Sequence, residues 1–162
     1  MISFGKAKQG KWLMNQFIEE GALEKAAFIG LIYQMPIRTG DAATLRKSDL
    51  DGRTVLKASS KYGKLYTNRH GNPYRITRQL QSLLYSINRD SDMIFTRRRE
   101  YYMCFFHRYR ENFHLHDFRR EHLRNEELLE SQRRKKQSKP AQRFTVEVKD
   151  GKRIFKRASS PL

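Results

Sequence analysis

The stretch "HLHDFRREHLRNEE", residues 114–127, governs how the rest of the chain is read. His116, Asp117, Phe118 and Arg119 set a histidine and an arginine three positions apart, in what reads as the first turn of a helix. Side chains at i and i+3 share a helix face, so His116 and Arg119 can grip one phosphate together. Asp117 also suits that turn, as a negative charge favoured at a helix N-terminus. If they do so here, the protein either cuts a nucleic-acid backbone or only holds one.

Charge supports a polyanionic partner. The 162 residues carry 34 Lys and Arg against 17 Asp and Glu, a net +17, and a field of that size attracts nucleic acid first of all. The basic residues do not collect on one amphipathic helix, which argues against a membrane-surface role. No apolar run approaches the roughly 18–20 residues that span a bilayer, and "MISFGKAKQGKWLMNQF" lacks the apolar region of a secretory signal. The single cysteine, Cys104, excludes an internal disulfide framework. Together these predict an intracellular protein, in a bacterial cytoplasm or in a nucleus or organelle, that is not secreted.

Hydrophobic spacing predicts mainly helices. "WLMNQFIEEGALEKAAFIGLIYQM", residues 12–35, places apolar residues at three- and four-residue spacings, with Gly21 as a break between two helices. "TGDAATLRKSDL", residues 39–50, reads as a short helix with Thr39 or Asp41 near its N-cap. Asp51-Gly52 is a turn, and "RTVLKASSKYGKLYT", residues 53–67, predicts two short strands about a turn at Ser60–Gly63. "HGNPYRI" is loop, and "ITRQLQSLLYSI" carries Ile76, Leu80, Leu83, Leu84 and Ile87 on one helical face. "RREYYMCFFHRYREN" and "DFRREHLRNEELLESQ" read as two further helices.

After Ser131 the composition shifts, with eleven Lys and Arg against two acids up to Leu162. "QRRKKQSKPAQ", residues 132–142, reads as a linker or basic arm. "RFTVEVKDGKRIFKR" alternates about Asp150-Gly151, a type I′ hairpin signal that sets Val146 opposite Phe155. The fold class expected is α+β: a mainly helical bundle with a small antiparallel sheet or hairpin. It is divided into a body of residues 1–130 and a basic arm with β-hairpin over residues 131–162.

Three motifs fall in order along the body. "PIRTGDAATLRKSDLDG" offers Arg38 with Asp41 three residues on; "SSKYGK" offers Lys61 and Lys64; "LHDFRREH" offers His116 and Arg119. In these residues the chain resembles the catalytic domain of the tyrosine recombinases, the phage-integrase family, over roughly residues 11–130. That family has an Arg-x-x-Glu/Asp motif, a lysine on a β-hairpin and a His-x-x-Arg box on a later helix. "DMIFTRRREYY" is similar to the segment that leads into that box.

The resemblance implies a set of roles. Arg38 and Arg119 would clamp the equatorial oxygens of a DNA phosphate, as two planar forks of donors. His116 would add a hydrogen bond, and Lys61, or Lys64 if the register slips, would protonate the leaving oxygen. Asp41 would hold Arg38 in position. The family also implies a nucleophilic tyrosine some twenty to thirty-five residues after Arg119, yet no tyrosine follows Tyr109. Phe144 and Phe155 are the nearest aromatics there and have no oxygen to attack phosphorus.

The function expected is therefore a DNA-binding protein from a phage or other mobile element that grips backbone phosphate without its own nucleophile. Duplex DNA is the expected partner, with possible association of copies on it and no cofactor. Lys64, Arg133, Arg134, Lys135, Lys136, Lys139, Arg143, Lys152 and Arg153 would add phosphate contacts, making affinity fall steeply with salt. Two alternatives stand beside it. One is a structural RNA-binding protein of a ribonucleoprotein particle. The other is an integrase-type enzyme whose tyrosine comes from a partner chain or from an upstream position such as Tyr101 or Tyr102. "YYMCFFHRYR" is read as core packing rather than a metal site, because zinc ligands usually come as paired cysteines or Cys₂His₂.

Overall fold

The computed structural model describes residues 5–109, 114–138 and 144–157, with the backbone alone for 144–149 and 153–157. The chain divides into two compact units at Glu126/Glu127. The described residues form α1 (Lys6–Glu19), α2 (Leu23–Gln34), α3 (Thr39–Ala43), β1 (Leu50–Asp51), β2 (Thr54–Val55), α4 (Arg78–Ser86), α5 (Arg99–Tyr109), α6 (Leu115–Ser138), β3 (Phe144–Lys149) and β4 (Lys152–Arg157). Helices dominate, with two separate two-stranded antiparallel sheets, so the architecture is α+β. Among the described residues no helix is long and apolar enough to cross a membrane.

The first unit is built around α2. Ala26 to Ile32 are all buried, so this helix is apolar on every side, as an element enclosed by others must be. Gly21, at φ +76°, turns the chain between α1 and α2 in a conformation that glycine adopts without a Cβ clash. Helix α1 crosses α2 closely at Gly10, where a Cβ would lie 2.4 Å from Tyr33 Cβ. Phe28 of α2 stacks on Tyr102 of α5 with ring centroids 4.1 Å apart, and Phe17 meets Phe106 edge-on at 5.9 Å.

Helix α4 lies as its periodicity predicts: Ile76, Leu80, Leu83, Leu84 and Ile87 are all buried. Thr77 caps it, its hydroxyl accepting the Leu80 N–H at 3.3 Å, which satisfies one of the orphan donors of the first turn.

Three expectations are corrected. The helix expected over residues 39–50 stops at Ala43. Arg46 is extended, and its N–H donates to Asp49 Oδ2 at 2.9 Å, which diverts the chain into a 3₁₀ turn at Lys47–Asp49. The strands expected about Ser60–Gly63 are reduced to the single bridge Ala58↔Leu65, while the paired strands β1 and β2 flank Gly52-Arg53 instead. The turn itself survives as a hydrogen-bonded loop, with Gly63 N–H to Ser59 O and Ser59 N–H to Lys64 O, both 2.7 Å.

The third correction concerns the basic arm expected from residue 131. Residues 132–138 continue α6 as helix, because Gln, Arg and Lys are good helix formers and Glu130 pairs with Arg134 one turn on at 2.8 Å. Lys135 and Lys136 fall in the last turn, where positive charge complements the helix dipole. Lys139 and Arg143 lie outside the described residues. In the second unit β3 pairs with β4 antiparallel, Val146 opposite Phe155. Asp150 and Gly151 both take positive φ, 53° and 74°, the combination that a type I′ turn needs.

Candidate nucleic-acid interface

Arg38 ends the extended segment after Pro36 and is the N-cap residue of α3. Its guanidinium carbon lies 5.2 Å from the ring centre of Tyr62, and Lys61 Nζ lies 5.3 Å from the same ring. The loop after Ser59 thus carries Lys61 and Tyr62 onto the Arg38 end of α3. Tyr62 is 63% exposed, and its phenol titrates below its ordinary value because Arg38 first, and Lys61 second, stabilise the phenolate.

Asp41 fastens this loop. The carboxylate is buried, 2% exposed, and accepts the Ser60 N–H at 3.3 Å as well as the Tyr66 hydroxyl. The Tyr66 oxygen in turn accepts the backbone N–H of Arg38 at 3.3 Å. Asp41 therefore reaches Arg38 through Tyr66 and the main chain. A buried carboxylate is stable only when hydrogen-bonded, and here each of its partners is part of the loop that presents Lys61. Burial first and the Asp41 carboxylate second raise the Tyr66 phenol above its ordinary value.

Arg119 arrives from the first turns of α6. Its Nε–H donates to the carbonyl of Pro36 at 3.2 Å, two residues before Arg38. A guanidinium has five N–H donors in a fixed fork, and among the described residues no hydrogen bond engages the terminal nitrogens of Arg119. The turn that carries Arg119 is itself held down. Tyr74 donates its hydroxyl proton to Glu126 Oε1 at 2.7 Å, and His122 Nε2 lies 3.2 Å from the same oxygen. The His122 ring meets Tyr74 edge-on at 5.6 Å.

His116 sits apart from these contacts. It is exposed and lines a groove of about 300 Å³ with Met103, Cys104, His107, His114 and Leu115. No hydrogen bond links it to Arg38 or Lys61 among the described residues. Lys64 is exposed beside the turn, and Arg133, Arg134, Lys135 and Lys136 are exposed on α6. Lys152 is exposed at the tip of the hairpin, and Arg153 is placed by its backbone alone. Among the described residues no group of three or more His, Cys, Asp or Glu side chains is placed to hold a metal.

Sequence reasoning missed Tyr62, Tyr66 and Tyr74. Tyr62 was legible only as the residue beside Lys61 in "SKYGK"; nothing local indicated that Arg38 would reach it. Tyr66 and Tyr74 act through contacts 25 and 52 residues away, which no local pattern encodes. Of the upstream tyrosines considered as nucleophiles, Tyr102 is fully buried against Phe28 and cannot meet a phosphate in the folded protein. Tyr101 is 41% exposed, with Arg97 over its ring.

Comparison with protein-family models, with curated proteins and with solved structures finds no match. The chemistry of the interface therefore rests on its own residues.

Proposed function

We propose that this chain binds duplex DNA by gripping backbone phosphate between Arg38, Arg119 and Lys61, on a scaffold of the tyrosine-recombinase catalytic type. The observation that carries the reading is the convergence on residues 36–38: Arg119 is tethered to the Pro36 carbonyl at 3.2 Å, while Arg38 and Lys61 flank Tyr62. Two guanidiniums and an ammonium, one set by the Pro36 carbonyl and two by the Tyr62 ring, suit one tetrahedral anion better than a diffuse surface does. The order of Arg38, the loop lysine and the His116–Arg119 turn along the chain supports the family reading. The absence of a tyrosine from residues 139–154, where the resemblance implies one, supports holding over cutting.

Fluorescence anisotropy across a salt series tests it, comparing wild type with Arg38→Ala/Arg119→Ala on duplex DNA and duplex RNA. Two generic charges lower the salt slope by about 1.8. A loss of affinity well beyond that, with an unchanged melting curve, is the expected result. A loss no larger than for two exposed lysines elsewhere removes the clamp. Tighter binding to RNA moves the protein to the ribonucleoprotein reading.

A second reading, strand cleavage with Tyr62 as nucleophile, is favoured by the exposed phenol beside Arg38 and Lys61. In that step the phenolate, having lost its proton to solvent, forms a bond to phosphorus. The bond from phosphorus to the leaving strand oxygen breaks, and Lys61 gives that oxygen a proton. A nicked suicide duplex would trap a covalent adduct with wild type and none with Tyr62→Phe. No adduct with wild type sinks this reading and leaves the binding one intact.

A further inference from the structure

The run Arg97-Arg98-Arg99 has no part in the clamp, yet the fold places it beside α3. A groove of about 440 Å³ is lined by Gly40 and Thr44 on one side and by Thr96 to Glu100 on the other. Gly40, two residues from Arg38, packs against this segment: a Cβ there would lie 3.6 Å from Arg99 Cδ, so the arginine stem runs directly over the α3 backbone. Arg99 Nε donates to Glu100 at 3.1 Å, which neutralises the one acid in the groove. Arg98 also acts on Glu100, so three arginines face one acid and the groove keeps a net positive charge.

The cations are also held in place. Arg97 rests 5.2 Å from the ring centre of Tyr101, a cation–π contact that limits its rotamers. The backbone that carries them is pinned one residue earlier, where the Thr96 N–H and hydroxyl donate to Glu24 of α2 at 3.3 and 2.8 Å. Like-charged neighbours in a groove repel one another unless an anion enters, and a site of that kind gains most from a phosphate.

We propose that the groove between α3 and the Arg97–Arg99 segment binds a second phosphodiester of the same duplex whose first is held by Arg38, Arg119 and Lys61. The proposal rests on the DNA-binding reading above and gives it a direction. A strand leaving the clamp would follow the α3 face past Gly40, over which the Arg99 stem lies, to reach Arg97 and Arg98.

The test is anisotropy on duplex DNA with the full chain, using Arg97→Ala/Arg98→Ala, a control pair Lys8→Ala/Lys11→Ala on exposed α1 positions, and Glu100→Gln. Melting curves establish that each variant is folded. The groove pair is expected to lower the salt slope by about two and affinity by roughly tenfold or more at moderate salt, while the control pair has a much smaller effect. Glu100→Gln, which removes the competing acid, is expected to tighten binding. Equal losses for the groove and control pairs, or no tightening with Glu100→Gln, overturn the groove. If the groove pair matters and Arg38→Ala/Arg119→Ala does not, the clamp reading falls and the groove stands. If wild type does not bind duplex DNA, both fall.

Discussion

Arg38 and Arg134 are both arginines of a strongly basic chain, and the two units use them differently. In the first unit Arg38 is fixed by its surroundings, its backbone N–H on Tyr66 and its guanidinium by Tyr62. In the second, Arg134 is 76% exposed and meets Glu130 one turn away on its own helix. Positive charge alone provides attraction that salt screens away. Charge whose direction is set by a buried carboxylate and a tethering carbonyl provides geometry. The body has both; the described part of the tail has charge on an exposed helix surface.

Asp41 is where this contrast breaks most easily. Asp41→Ala leaves the Ser60 N–H and the Tyr66 hydroxyl without their acceptor, a loss of about 1–3 kcal/mol, read as a lower midpoint in urea or thermal unfolding. DNA affinity should fall with it, because the Lys61 loop is no longer fastened. An unchanged midpoint would mean that the loop is held by something else.

The alkaline limb of stability sharpens the same point. Burial, reinforced by Asp41 at Tyr66 and by Glu126 at Tyr74, raises both phenols above the ordinary value of 10.0. The folded protein therefore keeps these protons where the unfolded chain has lost them. Their contribution is intact below pH 10 and declines as pH rises through the folded values. Tyr74→Phe should flatten the loss of melting temperature above that pH; an equally steep decline would remove Tyr74 from the account.

The tail should respond in the opposite way. Replacing Arg133, Arg134, Lys135 and Lys136 with alanine should lower the DNA salt slope by about 3.6 and leave the thermal midpoint of the first unit unchanged. A shift of that midpoint would show that the tail stabilises the body. The smallest effect belongs to Glu130→Ala, which removes an i,i+4 pair with a highly exposed arginine and should reduce stability by about 0.3–0.5 kcal/mol, seen as slightly lower helicity by circular dichroism.

The comparison also explains what the sequence disclosed. The face of α4 was legible because Ile76, Leu80, Leu83, Leu84 and Ile87 repeat at helical spacing, and the β3–β4 register because Asp-Gly fixes its own turn. The extension of α6 is hidden because a run of Arg and Lys also reads as an arm, although those residues favour helix wherever the helix is already nucleated. The site was half legible. Its charged residues carry recognisable spacings, but the groups that aim them, Tyr66, Tyr62 and the Pro36 carbonyl, act across long stretches of chain. A tyrosine that accepts from one backbone and donates to a distant aspartate has no local pattern.

The Arg119–Pro36 hydrogen bond joins residues 83 positions apart. Helices α1 and α2, by contrast, meet within the first 34 residues, and contacts between near neighbours in sequence form soonest. During synthesis, when domains order from their N-terminal side, the first helical pair can pack before the Arg119–Pro36 contact can form. Arg38 and its neighbours Tyr62 and Tyr66 are synthesised well before Arg119. The site is thus assembled in two stages, its α3 end first and its α6 arm last.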